Sequence, residues 1–395
     1  MKTFAYIISY LIYLFSFLVP RNKSSLAFGS YRSGFSDNSK YLFLYLYRTH
    51  PELNIYWLSR NRQTIKHIRS LGLSAYWIYS PIGIWKALRA KYWFYNTYSS
   101  EIMFFLSGGA TLINLWHGVG LKRCEFNINR EGLLADRYVR RTFKERFYHP
   151  QAFQRPTYVL SSTNFQSEMF ASAFRVSVEQ CMNVGYPRNQ ILLKSKEEIR
   201  AFILRYEPKQ TQQLVDILAL YNLVYIYMPT WRDSQRDVFQ VNIDLECISK
   251  ILKEQNAVLL LKPHMMTVVD KLYNADNIIL VDKDIDIYCV LPYTDVLITD
   301  YSSVLYDYLL IPDKQVILYL YDYTDYINMR DFYYPFDENV IGKRVETFNE
   351  LAKTISTQDY KMNESDRQRI LAKFWGKTMQ KDVCENILKQ IHAIP

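Results

Sequence analysis

The sequence predicts an α/β protein built from two Rossmann-like domains facing one another across a cleft, and three observations carry that prediction. Short apolar runs alternate with helix-like stretches along most of the 395 residues, the pattern of a parallel sheet with helices on both faces. The alternation is interrupted once, by a charged helical stretch from Ile199 to Ala219, and then restarts. Strand-like runs also end in polar residues or glycine, and the carboxyl ends of strands are where open α/β sheets bind ligands.

Phe4 to Val19 is apolar and lies between Lys2 and Pro20-Arg21-Asn22-Lys23. Crossing a bilayer takes roughly 20 residues, and Tyr and Ser punctuate this run. Residues 1–23 are therefore expected to form a membrane-associated helix lying in or dipping into one leaflet. The alternative is a core helix of a soluble domain. No small-residue cleavage site follows, which argues against a removed signal peptide.

Residues 24–205 form the expected first domain, with strands at Ser25 to Gly29, Asn54 to Leu58, Tyr92 to Tyr95, Thr111 to Trp116, Thr157 to Leu160 and Met182 to Val184. Ser36 or Asp37 is placed to cap the helix that runs into Tyr41. Ser80-Pro81 opens another helix, since proline in the first turn gives up an N–H that would be unpaired anyway. Residues 206–365 repeat the scheme, with strands at Leu223 to Met228, Ala257 to Leu261, Ile278 to Val281, Val296 to Ile298 and Gln315 to Leu320. The tail from Glu364 reads as amphipathic helix, and residues 366–395 are expected to pack back on the first domain.

Composition narrows the function classes. Hydrophobic content of 49% against 22% charged is that of a globular chain. The net charge of +9 suits nucleic acid, an anionic membrane face or a phosphorylated substrate. No RNP-like sequence, finger spacing or basic heptad occurs, so no nucleic-acid partner is expected. The five cysteines (Cys124, Cys181, Cys247, Cys289, Cys384) are scattered without a CxxC pair. Neither a disulfide framework nor a zinc site is expected, and a cytoplasmic setting fits. The lack of GxGxxG after a strand and of GxxxxGK[ST] disfavours a nicotinamide enzyme and a P-loop NTPase.

Four strand ends carry the chemistry. Asp295-Val-Leu-Ile-Thr-Asp-Tyr-Ser-Ser-Val-Leu-Tyr-Asp307 reads as a buried strand, a polar loop and a helix start, where hydroxyls and free N–H groups suit a phosphate; the alternative is that Ser302 and Ser303 only cap the helix. In Trp116-His117-Gly118-Val-Gly120-Leu-Lys122, a histidine emerges from a strand beside a glycine turn. A histidine there can take a proton from a hydroxyl near neutral pH, or serve only as a hydrogen-bonded structural group. Thr230 and Arg232 follow one strand of the second half, and Lys262-Pro263-His264 follows another; His264 could instead be a solvated loop residue. Together the three strand ends suit a nucleotide-diphosphate donor, and His117 suits a hydroxyl acceptor.

These motifs, with Phe28-Gly29-Ser30, Ser36-Asp-Asn-Ser-Lys-Tyr41 and Gly185-Tyr-Pro-Arg188, resemble those of the CDP-glycerol glycerophosphotransferase family of teichoic acid and capsule assembly. The resemblance runs in order from about residue 25 to the end. It implies a GT-B-like fold, peripheral attachment to the cytoplasmic membrane face, and transfer of a polyol phosphate from CDP-glycerol or CDP-ribitol to a lipid-linked saccharide or polymer, releasing CMP. Carried over by motif, His117 is the base and His264 assists at the donor phosphates. Thr230, Arg232, Lys262, Thr299, Ser302, Ser303 and Asp307 bind the donor, and Gly118, Lys122 and Arg188 serve the acceptor or a phosphate. No cofactor is implied beyond an Mg²⁺ carried by the donor pyrophosphate. Val119-Gly120 stands where the family often has Thr-Pro, and Gln190 where Asp is usual. Competing readings are a GT-B glycosyltransferase using a nucleotide sugar and a catalytically silent nucleotide-binding subunit.

Overall fold

The computed structural model describes residues 2–132, 134–230, 243–262, 275–329, 331–378 and 382–391. The chain divides into two compact units, Met1–Gln190 with Phe374–Pro395, and Ile191–Lys373. Each contains one sheet in which every strand pair is parallel.

In the first unit the strands are β1 (Asn22–Phe28), β2 (Asn54–Ser59), β3 (Ala75–Trp77), β4 (Ala90–Tyr95), β5 (Thr111–Asn114), β6 (Tyr158–Ser161) and β7 (Cys181–Asn183). They lie in the order β3-β2-β1-β4-β5-β6-β7. Leu26, Ala27 and Phe28 of β1 are all fully buried, as a central strand covered on both faces requires. In the second unit β8 (Leu223–Met228), β9 (Ala257–Leu261), β10 (Ile278–Leu280), β11 (Val296–Thr299), β12 (Gln315–Tyr319) and β13 (Lys343–Val345) lie in the order β10-β9-β8-β11-β12-β13. Both sheets are doubly wound, and the strand order reverses between β1 and β4 and between β8 and β11. Outside the carboxyl ends of the strands at such a reversal, open α/β sheets keep their ligand crevices.

The helices of the first unit begin with α1 (Lys2–Ser16), α2 (Asp37–Thr49), α3 (Arg62–Ser70) and α4 (Pro81–Arg89). Ser80 caps α4, accepting from the N–H of Gly83 at 3.0 Å. Ser36 sits at the N-cap position of α2 without a side-chain capping bond, and Asp37 is inside the helix with a left-handed φ of 63°. These residues bond to strand-end loops rather than to the helix they open. β3 and β13 were not visible in the sequence: each has three residues at a sheet edge, too short for a periodic signal.

The 15-residue α1 is at most about 22 Å long at 1.5 Å per residue, and no helix among the described residues is long and apolar enough to cross a membrane. One side of α1 is fixed to the unit: Tyr6 and Tyr10 meet Phe105 and Phe147, and Tyr13 stacks on Phe104. Arg21, just beyond it, donates to the carbonyls of Ala87, Ala90 and Leu106 at 2.7–3.0 Å. The other side is bare, with Phe4, Leu14, Phe15 and Leu18 exposed by 64–75%. The helix is thus neither a spanning segment nor a core helix.

Candidate active site

In the first unit His117 follows β5, beside the reversal between β1 and β4. Asn114 Oδ1 accepts from the N–H of Trp116 at 2.9 Å, a local turn that ends the strand. Trp116 and Gly118 take left-handed φ values of 51° and 110°, and the second is a value glycine adopts without a Cβ penalty. The Trp116 ring, wedged against Phe170 and Phe174, lies 4.0 Å from the imidazole of His117.

Three consecutive residues at the start of α2 lock this loop. Asp37 Oδ1 accepts from Arg188 Nη1 at 2.7 Å. Asn38, fully buried, donates to the carbonyl of Trp116 at 2.8 Å and accepts from the Arg188 N–H at 3.0 Å. Ser39 N–H donates to Asn96 Oδ1 at 3.1 Å. Arg188 also donates through Nη2 to the carbonyl of His117 at 2.8 Å. Its guanidinium therefore braces the histidine's backbone.

The His117 ring faces the carbonyl of Asn96, which favours the charged form and so works against the downward shift of its pKa. Surrounding protein holds its pKa down to about 4, with Arg188 and Lys122 adding to the effect and Asp37 opposing it. The side chain nevertheless keeps an exposed edge. Solvent there tempers the shift, but its direction stands: at neutral pH His117 is an uncharged imidazole, with a nitrogen able to act as a base.

In the second unit, Met228 at the end of β8 and Thr299 at the end of β11 flank the reversal. Thr299 is fully buried and its hydroxyl donates to the carbonyl of Met228 at 2.8 Å, so it pins the two strands together. Asp300, also buried, accepts from the Thr230 N–H with both oxygens at 2.9 and 3.1 Å, which fixes the turn after β8. Asp307 is buried and takes a short hydrogen bond from the Tyr288 hydroxyl. Thr299 and Asp307 thus support the loop from beneath.

Ser302 and Ser303 are different. The helix they precede is only Val304–Tyr308, Ser303 has helical φ/ψ, and no side-chain capping bond forms at its start. Ser302 Oγ accepts only a long 3.4 Å bond from the Val304 N–H, and both residues are half-buried. Ser302 thus caps the helix weakly, and the Ser303 hydroxyl does not cap it. Lys262 Nζ donates to the carbonyls of Asp282 and Ile285 at 2.8 and 3.2 Å, closing the loop beyond β10. Arg232 and His264 lie outside the described residues.

Sequence reasoning missed the roles of Asp37, Asn38, Asn96 and Glu101: the first three bond to residues 57 to 151 positions away, and Glu101 bonds to the backbone of a turn. Among the described residues, one group brings possible metal ligands together: Glu207, Asp286 and Cys289, with ligand atoms within 4.8 Å. Cys289 Sγ donates to Glu207 Oε1 at 3.6 Å, so the pair is already joined as donor and acceptor.

Two doubly wound sheets, one with hydroxyls at its reversal and the other with a neutral histidine at a strand end, suit a nucleotide-dependent transferase. The chain belongs to the family described as CDP-Glycerol:Poly(glycerophosphate) glycerophosphotransferase, which matches residues 11–393. It is 28% identical to the teichoic acid glycerol-phosphate transferase of Staphylococcus aureus (strain NCTC 8325 / PS 47), over 93% of this chain and 94% of that one. It is 26% identical to the teichoic acid poly(glycerol phosphate) polymerase of Bacillus subtilis (strain 168), covering 89% of this chain but only 46% of the relative, so it spans about half the length of that polymerase. In fold it resembles the wall teichoic acid polymerase TagF, with a TM-score of 0.75 at 22% identity over 100% of this chain and 99% of that one.

Proposed function

We propose that this chain transfers the glycerol phosphate, or a related polyol phosphate, of a CDP-polyol to a hydroxyl of a membrane-linked acceptor in teichoic acid or similar cell-surface polymer synthesis. The observation that carries the reading is the held, uncharged imidazole of His117. It takes the acceptor's hydroxyl proton as the oxygen attacks the phosphorus bearing the polyol. The bond from that phosphorus to the bridging oxygen breaks, and CMP leaves. Such a reaction depends mainly on positioning and charge stabilisation. Thr230, Ser302 and Ser303 hold the donor pyrophosphate at the reversal of the second sheet, with Arg232 and His264 assisting from the same strand ends. Gly118 and Lys122 shape the acceptor side. An Mg²⁺ accompanying the pyrophosphate is compatible with this chemistry. A TagF structure soaked with CDPG supports a donor of this class.

The chain works as a peripheral protein on the cytoplasmic membrane face, with the bare side of α1 entering one leaflet. Supporting this, the large apolar side chains of Phe4, Leu11, Leu14 and Phe15 on α1 are more than half exposed. Purified protein is to be incubated with CDP-glycerol, CDP-ribitol or nucleotide sugars plus a lipid-linked acceptor. CMP release from a CDP-polyol is expected; turnover of a sugar donor alone overturns the reading. Replacing Phe15 and Leu18 by serine should reduce flotation with phosphatidylglycerol vesicles, and unchanged flotation removes α1 from the membrane contact.

A further inference from the structure

Glu101 is a buried carboxylate that the mechanism above does not use. It lies in a short turn of 3-10 helix, Ser99–Glu101, just after β4. Its Oε2 accepts from the Asn96 N–H at 2.8 Å and its Oε1 from the Thr97 N–H at 2.8 Å. The carbonyl of the same Thr97 accepts from Asn114 Nδ2 at 3.1 Å, and Asn114 Oδ1 accepts from the N–H of Trp116, the residue before His117. One carboxyl group thus grips the peptide turn against which the His117 loop is bonded.

We propose that Glu101 is a positioning residue for His117, acting through the Asn96–Thr97 turn to aim the free ring nitrogen; this rests on His117 being the base. Three features support it. Two adjacent N–H groups, one on each carboxylate oxygen, require an acceptor with two free oxygens; a glutamine there would set an NH₂ group against an N–H. No cation pairs with Glu101 among the described residues, and burial pushes its pKa up to about 8 while the Asn96 and Thr97 N–H groups pull it down, so a desolvated carboxyl group with no counter-charge is kept at this point. Third, the turn is clamped from behind. A Cβ on Gly29, at the end of β1, would lie 2.7 Å from Ile102 Cγ1 and 3.0 Å from the backbone of Glu101. Only glycine lets β1 back so closely onto the turn. From the other side, the Asn96 side chain donates to Ser30 Oγ at 3.3 Å and accepts from the Ser39 N–H at 3.1 Å.

The test compares wild type, Glu101→Gln and Glu101→Asp in CMP release from CDP-glycerol, in CDP-glycerol affinity, and in the ¹⁵N shifts of the His117 ring. Displacing a reacting group by an ångström can cost about 10²-fold in rate. A drop in kcat of that order is expected for Glu101→Gln, with donor affinity unchanged within about twofold and the His117 ring shifts displaced from their wild-type positions. Glu101→Asp keeps the charge but is a methylene short, so a smaller drop is expected, and it serves if the glutamine variant does not fold. Wild-type kcat in either folded variant overturns the proposal, and so does a loss of kcat with unchanged His117 shifts. Full activity in His117→Ala instead removes the underlying reading, whatever the Glu101 variants do.

Discussion

At the reversal of the first sheet the polar side chains are bonded to one another; at the reversal of the second, hydroxyls stand at the loop and form little of the cap their position suggests. Asp37, Asn38, Ser39, Asn96, Glu101 and Arg188 make a closed set of hydrogen bonds around the loop that carries His117. Thr299, Asp300 and Asp307 do similar work beneath the loop of the second unit, but Ser302 and Ser303 above them have only one long bond between them. A base must be rigid before substrate arrives, because its value lies in the direction of one lone pair. A phosphate cradle instead needs donors not yet committed to the protein. One topology is used for both tasks, and the difference lies in how completely the strand-end polar groups satisfy each other.

The strongest break of this contrast is His117→Ala. General acid–base groups contribute about 10²–10⁴-fold, so CMP release should fall by that much while CDP-glycerol affinity stays near wild type. A loss of donor affinity would move His117 to the donor side. Because its pKa is held down to about 4, the base is already uncharged at neutral pH. In wild type the acid limb of the rate should therefore lie below the ordinary histidine pKa of 6.5, and an acid limb at the ordinary value would show that the imidazole is not held as described.

Arg188→Ala tests the closed set itself. The guanidinium is 7% exposed and pairs with an Asp37 that is 23% exposed. Breaking a buried pair by removing one partner typically costs 3–5 kcal/mol; with Asp37 in partial contact with water, about 3 kcal/mol of stability in urea unfolding is expected. A change under about 1 kcal/mol would mean that the loop holds without it.

Ser303→Ala probes the open site and should leave stability alone. A hydrogen bond to a charged group contributes about 1.5–3 kcal/mol, so CDP-glycerol affinity should weaken about tenfold or more with little change in melting temperature. The reverse result, a destabilised protein that binds normally, would restore Ser303 to a structural role.

The contrast also explains what could be read from the sequence. The core strands β1, β8, β9, β11 and β12 announce themselves because a strand buried on both faces is a continuous apolar run, as Ala257–Leu261 is. His117, Thr230 and Ser302 were legible because each follows such a run directly. The bracing set was not, because Asp37 meets Arg188 across 151 positions and Asn38 meets Trp116 across 78. Locally, Ser36-Asp37 looks like an ordinary cap. Arg188 and Thr299 have the side chains of ligand binders, and only the folded chain shows that both terminal guanidinium nitrogens of Arg188 and the Thr299 hydroxyl donate to the protein itself.

A smaller test concerns the far end of α2, where the first unit closes another polar set. His50 Nε2 lies 2.8 Å from Glu385 Oε1 and its Nδ1 2.9 Å from Glu52 Oε1. Tyr45 donates to Asp382 and to the same Glu385 at 2.8 and 3.0 Å, so the C-terminal helix Val383–Gln390 is held on α2 by these five groups. A neutral imidazole has one N–H and cannot donate to two carboxylates; both bonds require the imidazolium. Glu385 and Glu52 accordingly raise the His50 pKa above its ordinary 6.5, against the opposing effect of burial. For a group whose pKa is raised on folding, the stabilisation is complete below the unfolded value and is lost as pH rises through the folded one. The melting temperature should therefore decline as pH climbs from 6.5 into the mildly alkaline range. Glu385→Gln removes one of the carboxylates and should flatten that decline. The effect is modest, since Glu52 is 59% exposed and well solvated. A decline of equal steepness in Glu385→Gln would show that the C-terminal helix does not depend on the charge of His50.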